Sequence, residues 1–286
     1  MSLRREVHEL LTEAGLRPRK GLGQNFLVDD SALRKIVGAA ELTAEDIVVE
    51  IGPGLGTLTR LLADQAHRVL AVEIDPHMVT LLRRVLAGVD NVDLVQADIL
   101  TLDLDAMLGR IPASSTKTYK VVANLPYYIT SAVLRHLLGR GRRPSCMVLT
   151  VQEEVARRIV AQPGDLSLLA LSVQVYGMPR IVARIPAGAF YPAPKVNSAV
   201  VRIDVKDDPT VEIADIRWFF SVARAGFSGR RKQLHNALSR GLGLSPSAVN
   251  AALLRADITP SRRAQTLSLD EWARLSKELA AETGRS

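Results

Sequence analysis

The stretch VVEIGPGLGTLTRLL, residues 48–62, decides the fold because it joins a strand pattern to a helix pattern through a glycine-rich turn. The apolar residues before the turn are typical of a buried strand, and the leucines after it recur at helical spacing. Gly52, Gly54 and Gly56 stand at the join, where glycine lets the chain turn sharply and lets the backbone approach a ligand closely. The sequence therefore predicts a strand, a loop and a helix that cradle a nucleotide-like group at the helix N-terminus.

The first half of the chain continues this alternation of short apolar runs and helix-like segments. The strand-like runs are DIVVEIG, RVLAVEID, VDLVQAD, YKVVANLP and CMVLTVQ. The helix-like segments between them include TLTRLLADQA and PHMVTLLRRVLAG. Such alternation builds βαβ units, so we expect an α/β, Rossmann-like domain with a mostly parallel sheet covered by helices on both faces.

The pattern changes after Asp204, where the polar segment VKDDPT precedes four helix-like stretches. We therefore predict two domains: a Rossmann-like domain with an N-terminal extension over residues 1–205, and a small all-α domain over residues 206–286. Residues suited to helix starts support the second domain. They are Asp215, Ser245 and Ser268 as N-caps and Pro246 at a first helical position.

Composition excludes several classes of protein and favours one class of partner. Lys and Arg number 37 against 30 Asp and Glu in 286 residues, a formal charge of +7, which favours a polyanion such as nucleic acid. The same excess is also compatible with a merely soluble surface. Cys146 is the only cysteine and the five histidines are scattered, so we expect no metal site. No secretory or membrane-spanning pattern is present, which predicts a cytoplasmic protein.

Two acidic residues at strand ends narrow the choice of ligand. The spacing is G-x-G-x-G, with Thr57 where the dinucleotide fingerprint needs its third glycine, which counts against NAD. Glu73 closes the second strand pattern, where a carboxylate accepts hydrogen bonds from ribose hydroxyls, and Asp98 follows the third, within reach of an adenine amino group. S-adenosylmethionine fits this set best. The alternative is a tight turn with acids that only cap helices.

The stretch VANLPYYIT, residues 122–130, brings an asparagine and two tyrosines to the same sheet edge. An exocyclic adenine amine is a poor nucleophile, and the side-chain oxygen of Asn124 with a backbone carbonyl at Leu125 or Pro126 would orient its N–H groups. Tyr127 offers a ring on which a flipped-out base stacks. The alternative makes Asn124 a cap and the tyrosines a surface pair.

A series of motifs along the chain resembles one enzyme family. The motifs are GLGQNFLVDD, VVEIGPGLGTLT, VEID, ADIL, VANLPYYIT, TVQEEVARRIVAQPGD and AFYPAPKVNSAVVRI. In this order they resemble those of the ribosomal RNA adenine N6-dimethyltransferases, specifically the KsgA-type enzymes of the small subunit. The resemblance runs from about residue 17 to residue 203, and FSGRRKQLHNAL in the tail resembles the C-terminal domain of that family.

The resemblance implies a set of site residues. Those implied to bind S-adenosylmethionine are Gln24, Asn25, Leu27, Gly52, Gly54, Glu73, Ile74, Asp98 and Asn124. It also implies that Asn124, Leu125 and Pro126 position the amine, and that Tyr127 and Phe190 cover the two faces of the base.

Residue patterns alone say less about three segments. Composition by itself predicts a loop for GQNFL and a proline-rich turn for FYPAP. Family members commonly carry a Tyr-Gly pair shortly before the Leu-Ser that follows AQPGD, where this chain has Leu168 and Leu169. This departure bears on the shape of that loop and not on the chemistry.

Basic clusters are candidate contacts to a folded RNA, whose phosphates and shape they would recognise. They are Arg17, Arg19, Lys20, Arg140, Arg142, Arg143, Arg230, Arg231 and Lys232. The last three crowd the start of a predicted helix, where the helix dipole disfavours cations, so an RNA role is favoured more for them than for the others. Each arginine taken singly is also compatible with solvated surface charge.

The resulting hypothesis is a monomeric enzyme that dimethylates two adjacent adenosines near the 3′ end of 16S rRNA in the 30S subunit, late in its biogenesis. Three alternatives stay open. One is the related 23S rRNA enzyme of macrolide resistance, and another is a DNA adenine methyltransferase. The third is a ribosome-assembly factor that acts mainly by binding the immature subunit.

Overall fold

The computed structural model describes residues 2–111, 118–229 and 231–284. Its strands are β1 (Phe26–Leu27), β2 (Ile47–Ile51), β3 (Arg68–Glu73), β4 (Val92–Gln96), β5 (Lys120–Asn124), β6 (Cys146–Gln152), β7 (Gly177–Ile185), β8 (Phe190–Tyr191) and β9 (Ser198–Val205). Its α-helices are α1 (Leu3–Glu13), α2 (Asp30–Ala40), α3 (Thr57–Ala63), α4 (Pro76–Val85), α5 (Leu104–Leu108), α6 (Thr130–Leu138), α7 (Glu153–Ile159), α8 (Leu168–Gln174), α9 (Ile216–Gly226), α10 (Leu234–Leu242), α11 (Pro246–Arg255) and α12 (Leu269–Glu282).

The main sheet has the order β4-β3-β2-β5-β6-β9-β7. Strands β2 to β6 pair in parallel, and β9 runs antiparallel to β6. The predicted Rossmann-like α/β fold with a mostly parallel sheet is confirmed, and each of the five strand-like runs forms a strand. Because parallel strands share one direction, β2, β3, β4 and β5 all end at the same sheet edge.

Apolar helix faces cover this sheet because their buried residues recur at helical spacing. Leu33 and Ile36 of α2 and Leu62 of α3 pack with Val122 of β5 and Val148 of β6, and each of these side chains is at most 2% exposed. This core holds the ends of the parallel strands in place.

A second, two-stranded sheet joins segments that lie far apart in the chain. Strand β1 pairs antiparallel with β8, with Phe26 opposite Tyr191 and Leu27 opposite Phe190. Composition predicted a loop and a turn here. Two-residue strands carry too little periodicity to be recognised, and this pair forms only because the main core brings both segments together.

The chain divides into two compact units, and the division differs from the predicted boundary at one place. One unit comprises residues 1–156 and 179–205, and the other comprises residues 157–178 with those from Lys206 onward. Helix α8 joins the second unit because it packs on α9, and the backbone N–H of Lys206 donates to the carbonyl of Tyr176. Leu168 and Leu169, the departure from the family pattern, open α8 rather than a loop.

The helical unit begins its helices where the sequence predicts. Asp215, Ser245 and Ser268 each cap a helix with the side chain, and Pro246 occupies the first turn of α11. In the described part of the chain, no helix is both long enough and apolar enough to cross a membrane.

Candidate active site at the carboxyl edge of the sheet

The glycine-rich loop lies between β2 and α3 and adopts left-handed backbone at each predicted glycine. The φ angles of Gly52, Gly54 and Gly56 are +69°, +57° and +77°, a region that side chains rarely allow. A Cβ atom on Gly54 would lie 3.1 Å from the ring of Phe26. The loop therefore needs glycine for both its conformation and its close packing.

Glu73 ends β3 beside this loop. Its Oε2 accepts a hydrogen bond from the Gly54 N–H at 3.4 Å, and its Oε1 accepts one from the Asp75 N–H at 2.9 Å. Burial raises the pKa of Glu73, and these two hydrogen bonds oppose the rise. Each carboxylate oxygen keeps a lone pair for a further donor, so the predicted binding of ribose hydroxyls is stereochemically available.

Asp98 lies two residues beyond the end of β4, in the turn that follows the strand. Its Oδ1 accepts a hydrogen bond from the Leu100 N–H at 2.9 Å, which fixes the turn, and the residue stays half-buried. Asp98 is thus both a turn residue and an acceptor facing the site.

Asn124 ends β5, which lies between β2 and β6. Its Nδ2 donates to the backbone carbonyl of Asn25 at 3.1 Å, and the Asn25 side chain donates in turn to the carbonyl of Gly23. With the amide nitrogen so held, Oδ1 is left as an acceptor. The N-terminal segment thereby orients the residue predicted to grip the amine.

The residues after Asn124 are held by the strands beside them. The N–H of Leu125 donates to the carbonyl of Thr150 at 3.3 Å. The hydroxyls of Tyr127 and Ser198 share a hydrogen bond of 2.7 Å, and burial raises the pKa of the Tyr127 phenol. The Tyr127 ring is therefore a neutral, fixed surface at the site.

Gln24 ties the N-terminal segment to the start of α4. Its Nε2 donates to Asp75 Oδ2 at 3.1 Å, and its Oε1 accepts from the Arg19 N–H at 2.8 Å. Arg19 also forms an ion pair of 3.4 Å with Asp75. Because Asp75 caps α4 two residues after Glu73, these contacts hold the segment beside the site.

These groups surround a cavity of about 230 Å³. The predicted residues that line it are Gln24, Asn25, Gly52, Gly54, Glu73, Ile74, Asp98, Asn124, Leu125, Pro126 and Tyr127. Apolar residues that the sequence analysis missed line it as well, among them Phe26, Ile99 and Leu100. The motifs GQNFL and ADIL contain all three, so extending each motif by its apolar neighbours would have found them.

Two predicted residues do not line this cavity. Leu27 and Phe190 are 4% and 0% exposed, and both belong to the hydrophobic core. Successive side chains of a strand point to opposite sides, so Phe26 faces the cavity and Leu27 faces the core. Phe190 pairs with Leu27 across the small sheet and shares its side. The stacking role of Phe190 stays a prediction.

The lining suits a cationic nucleoside cofactor. Glu73 and Asp98 supply carboxylates, Ile74 and Ile99 supply apolar contacts for a flat base, and the loop at Gly54 admits close approach of backbone. No group of acidic, histidine or cysteine side chains able to hold a metal occurs among the described residues.

A parallel sheet with a glycine loop, two strand-end carboxylates and an Asn-Leu-Pro-Tyr loop defines a methyltransferase of the class that uses S-adenosylmethionine. The chain belongs to the ribosomal RNA adenine dimethylase family, whose model matches residues 15–281. The class and the family both agree with the resemblance that the motifs indicate.

Individual relatives support this assignment over nearly the whole chain. A protein named ribosomal RNA small subunit methyltransferase A from Dehalococcoides mccartyi is 46% identical over 280 residues, covering 98% of this chain and 94% of the relative. A protein of the same name from Moorella thermoacetica is also 46% identical, and the match covers 94% of this chain and 95% of the relative.

Solved structures show the same architecture. The 23S rRNA methyltransferase ErmE is 30% identical with a TM-score of 0.69, and the match covers 89% of this chain and 99% of that structure. A dimethyladenosine transferase from Plasmodium falciparum has a TM-score of 0.74 at 23% identity, and the match covers 91% of this chain and 98% of that structure. This likeness supports the fold alone.

Proposed function

We propose that this protein transfers methyl groups from S-adenosylmethionine to the N6 amines of two adjacent adenosines near the 3′ end of 16S rRNA. The product is N6,N6-dimethyladenosine in the small ribosomal subunit. The relatives named for the small subunit are 46% identical, against 30% for the 23S rRNA enzyme, which favours the small-subunit substrate.

The observation that carries the proposal is the way in which Asn124 is held. Its amide nitrogen is engaged by the Asn25 carbonyl at 3.1 Å, so its oxygen is directed as an acceptor at the sheet edge where the cavity lies. An acceptor here orients the N–H groups of an adenine amine, and a backbone carbonyl at Leu125 or Pro126 provides the second. Orientation is what such an amine needs, because its lone pair is delocalised into the ring.

Tyr127 is proposed to carry the base. Its hydroxyl is anchored to Ser198, so the ring needs no reordering when a flipped-out base stacks on it. The resemblance assigns the opposite face of the base to Phe190, which requires that ring to leave the core in which it is buried.

The residues proposed to hold the cofactor are Gly52, Gly54, Glu73, Ile74 and Asp98. Bound there, S-adenosylmethionine would supply an electrophilic methyl group, whose bond to the sulfonium sulfur breaks as the bond to N6 forms, so that S-adenosylhomocysteine is the leaving group. We assign no general base, because the amine nitrogen becomes acidic only after it accepts the methyl group and then loses its proton readily to water.

The test compares Asn124→Ala with wild-type protein. Purified protein is incubated with radiolabelled cofactor and small subunits that lack the adenosine methylation, with Asn236→Ala as the matched control at an exposed helix position. We expect wild type and Asn236→Ala to label small-subunit RNA as N6,N6-dimethyladenosine. We expect Asn124→Ala to lose at least about 100-fold in rate, as when a group that acts only in the transition state is removed.

The same experiment separates the alternatives. Cofactor affinity should fall far less than the transfer rate in Asn124→Ala, and the melting temperature should be nearly unchanged, which assigns most of the loss to positioning of the amine. Near-normal transfer by this variant would refute the proposed role of Asn124. Labelling of 23S rRNA or duplex DNA instead of the small subunit would keep the chemistry and overturn the substrate. Tight subunit binding without any transfer would favour an assembly factor.

A further inference from the structure

Beside the active-site cavity lies a wider groove of about 800 Å³. One side is formed by α1 and the turn after it, with His8 and Arg17, and the other by Tyr191 at the end of β8 and the loop that follows it. Some of its lining residues lie in the motifs GQNFL and FYPAP, but the proposed chemistry gives the groove itself no role.

The groove and the cavity share part of their lining. Gly23, Gln24 and Asn25 line both of them, so the two spaces adjoin along this segment of the chain. The carbonyl of Asn25 also holds Asn124, the residue proposed to grip the target amine. A strand of nucleic acid with one base in the cavity therefore places a neighbouring nucleotide at the groove.

The wall of the groove offers a flat aromatic surface. Tyr191 is only half-buried, and its ring lies 5.9 Å from that of His8 in an edge arrangement, with an angle of 64° between the rings. The pairing of Tyr191 with Phe26 across the small sheet fixes the backbone that carries the ring. Aromatic rings held in this way are the usual stacking partners of unpaired bases in RNA.

The charge of the groove suits a phosphate. Arg17 is exposed, and no carboxylate occurs among the residues that line the groove, all of which the structure describes. A guanidinium can bind a phosphate through two parallel hydrogen bonds. Since no acid lines the groove, no ion pair with a lining residue has to be broken first.

We propose that this groove binds the nucleotide adjacent to the adenosine in the cavity, with its base stacked on Tyr191 and its phosphate on Arg17. The inference rests on the proposed function and deepens it, because a substrate of two adjacent adenosines requires a place for one base while the other is methylated. Moving the strand by one nucleotide exchanges the two positions.

The test uses a short single-stranded RNA with the fluorescent base 2-aminopurine next to the target adenosine, together with undermethylated small subunits. The groove variants are Tyr191→Ala, Tyr191→Phe and Arg17→Gln. The matched control is Arg5→Gln, since Arg5 is exposed on α1, pairs with Glu9 and lies outside the groove. Tyr191→Leu keeps apolar packing without a flat ring and serves if Tyr191→Ala does not fold.

We expect wild type and Tyr191→Phe to quench the 2-aminopurine fluorescence, and Tyr191→Ala and Tyr191→Leu to lose the quenching. The KM for small subunits should rise about ten-fold in the Tyr191→Ala, Tyr191→Leu and Arg17→Gln variants, as expected for loss of one stacking or phosphate contact. Cofactor affinity should stay unchanged in all, and Arg5→Gln should match wild type.

Retained quenching and an unchanged KM in Tyr191→Ala or Tyr191→Leu would overturn the groove proposal alone. If wild-type protein labelled no small-subunit RNA, the proposed function would fail first, and the groove assignment would fall with it. Because labelling is scored on wild type and quenching on the variants, the two failures are distinguishable.

Discussion

At the scale of single residues, Glu50 is the least expected group. It lies on β2 just before the glycine loop, 1% exposed, and its Oε2 has no hydrogen-bond partner among the described residues. Burial raises the pKa of Glu50 to about 8; the Thr59 hydroxyl lowers it by less, and repulsion from Glu73 raises it further. The carboxyl is therefore largely protonated at neutral pH.

This predicts how stability depends on pH. Because folding raises the pKa of Glu50 from 4.5 to about 8, its contribution to stability is complete below the lower value and is lost as the pH rises through the upper one. Glu50→Gln removes this ionisation, so its melting temperature should fall less than that of wild type between about pH 5 and about pH 8, the interval between the two pKa values.

The control for this comparison is Glu154→Gln, which changes an exposed carboxyl. Thermal melting across the pH series should give parallel curves for this control and wild type. If Glu50→Gln also ran parallel to wild type, Glu50 would be ionised in the folded protein throughout that range.

A second residue-scale prediction concerns Gly54. Gly54→Ala places a side chain both in left-handed backbone and 3.1 Å from the Phe26 ring, whereas Gly88→Ala, at φ +85°, meets nothing within 4 Å. Both should lose roughly 1–2 kcal/mol of stability from the backbone alone. Only Gly54→Ala should also weaken cofactor binding, because Phe26 lines the cavity. Calorimetric titration with S-adenosylmethionine checks this, and equal affinities in the two variants would contradict it.

At the scale of elements, the pairing of β1 with β8 decides where Phe190 lies. Its ring is fully buried in the core of the α/β unit, so Phe190→Ala should lose about 3–5 kcal/mol of stability through the cavity that it leaves. Phe190→Leu fills most of that volume and should lose less than about 1.5 kcal/mol; if the ring acts only in the core, this variant keeps methyl transfer.

Denaturant unfolding measures the loss of stability, and turnover on small subunits measures methyl transfer separately. A Phe190→Leu protein of normal stability but without transfer would instead support the stacking role that the resemblance implies. Tyr191 is the neighbouring control for stability, since it is half-buried and its truncation should cost less than that of Phe190.

At the scale of the whole molecule, the formal charge of +7 predicts binding to RNA that weakens with salt. Of the cluster GRRKQLH, Arg230 lies outside the described residues, and Arg231 and Lys232 are exposed just before α10. Arg19, by contrast, already forms an ion pair with Asp75, so part of its guanidinium is engaged within the protein.

Lys232→Gln should reduce the slope of log K for RNA binding against log salt by about one if Lys232 contacts a phosphate. Lys277→Gln, which removes an exposed cation of α12 in the same unit, is the matched control and should leave the slope as in wild type. Filter binding of small-subunit RNA at several salt concentrations measures both. Equal slopes for the two variants would remove Lys232 from the contact surface.

The sequence by itself determined the α/β sheet, the helical tail with its caps and most of the cavity. The reason is that strand and helix periods, glycine turns and strand-end acids are local patterns, and parallel strands bring their ends together by topology. Gly52, Glu73, Asp98 and Asn124 were predictable in this way.

Only the tertiary structure decided the pairing of β1 with β8, the hydrogen bond from Asn124 to Asn25 and the burial of Phe190. It also decided that residues 157–178 join the helical unit. The physical reason is the same in each case. These contacts join segments far apart in the chain, and two-residue strands and single side chains carry no period from which their partners can be inferred.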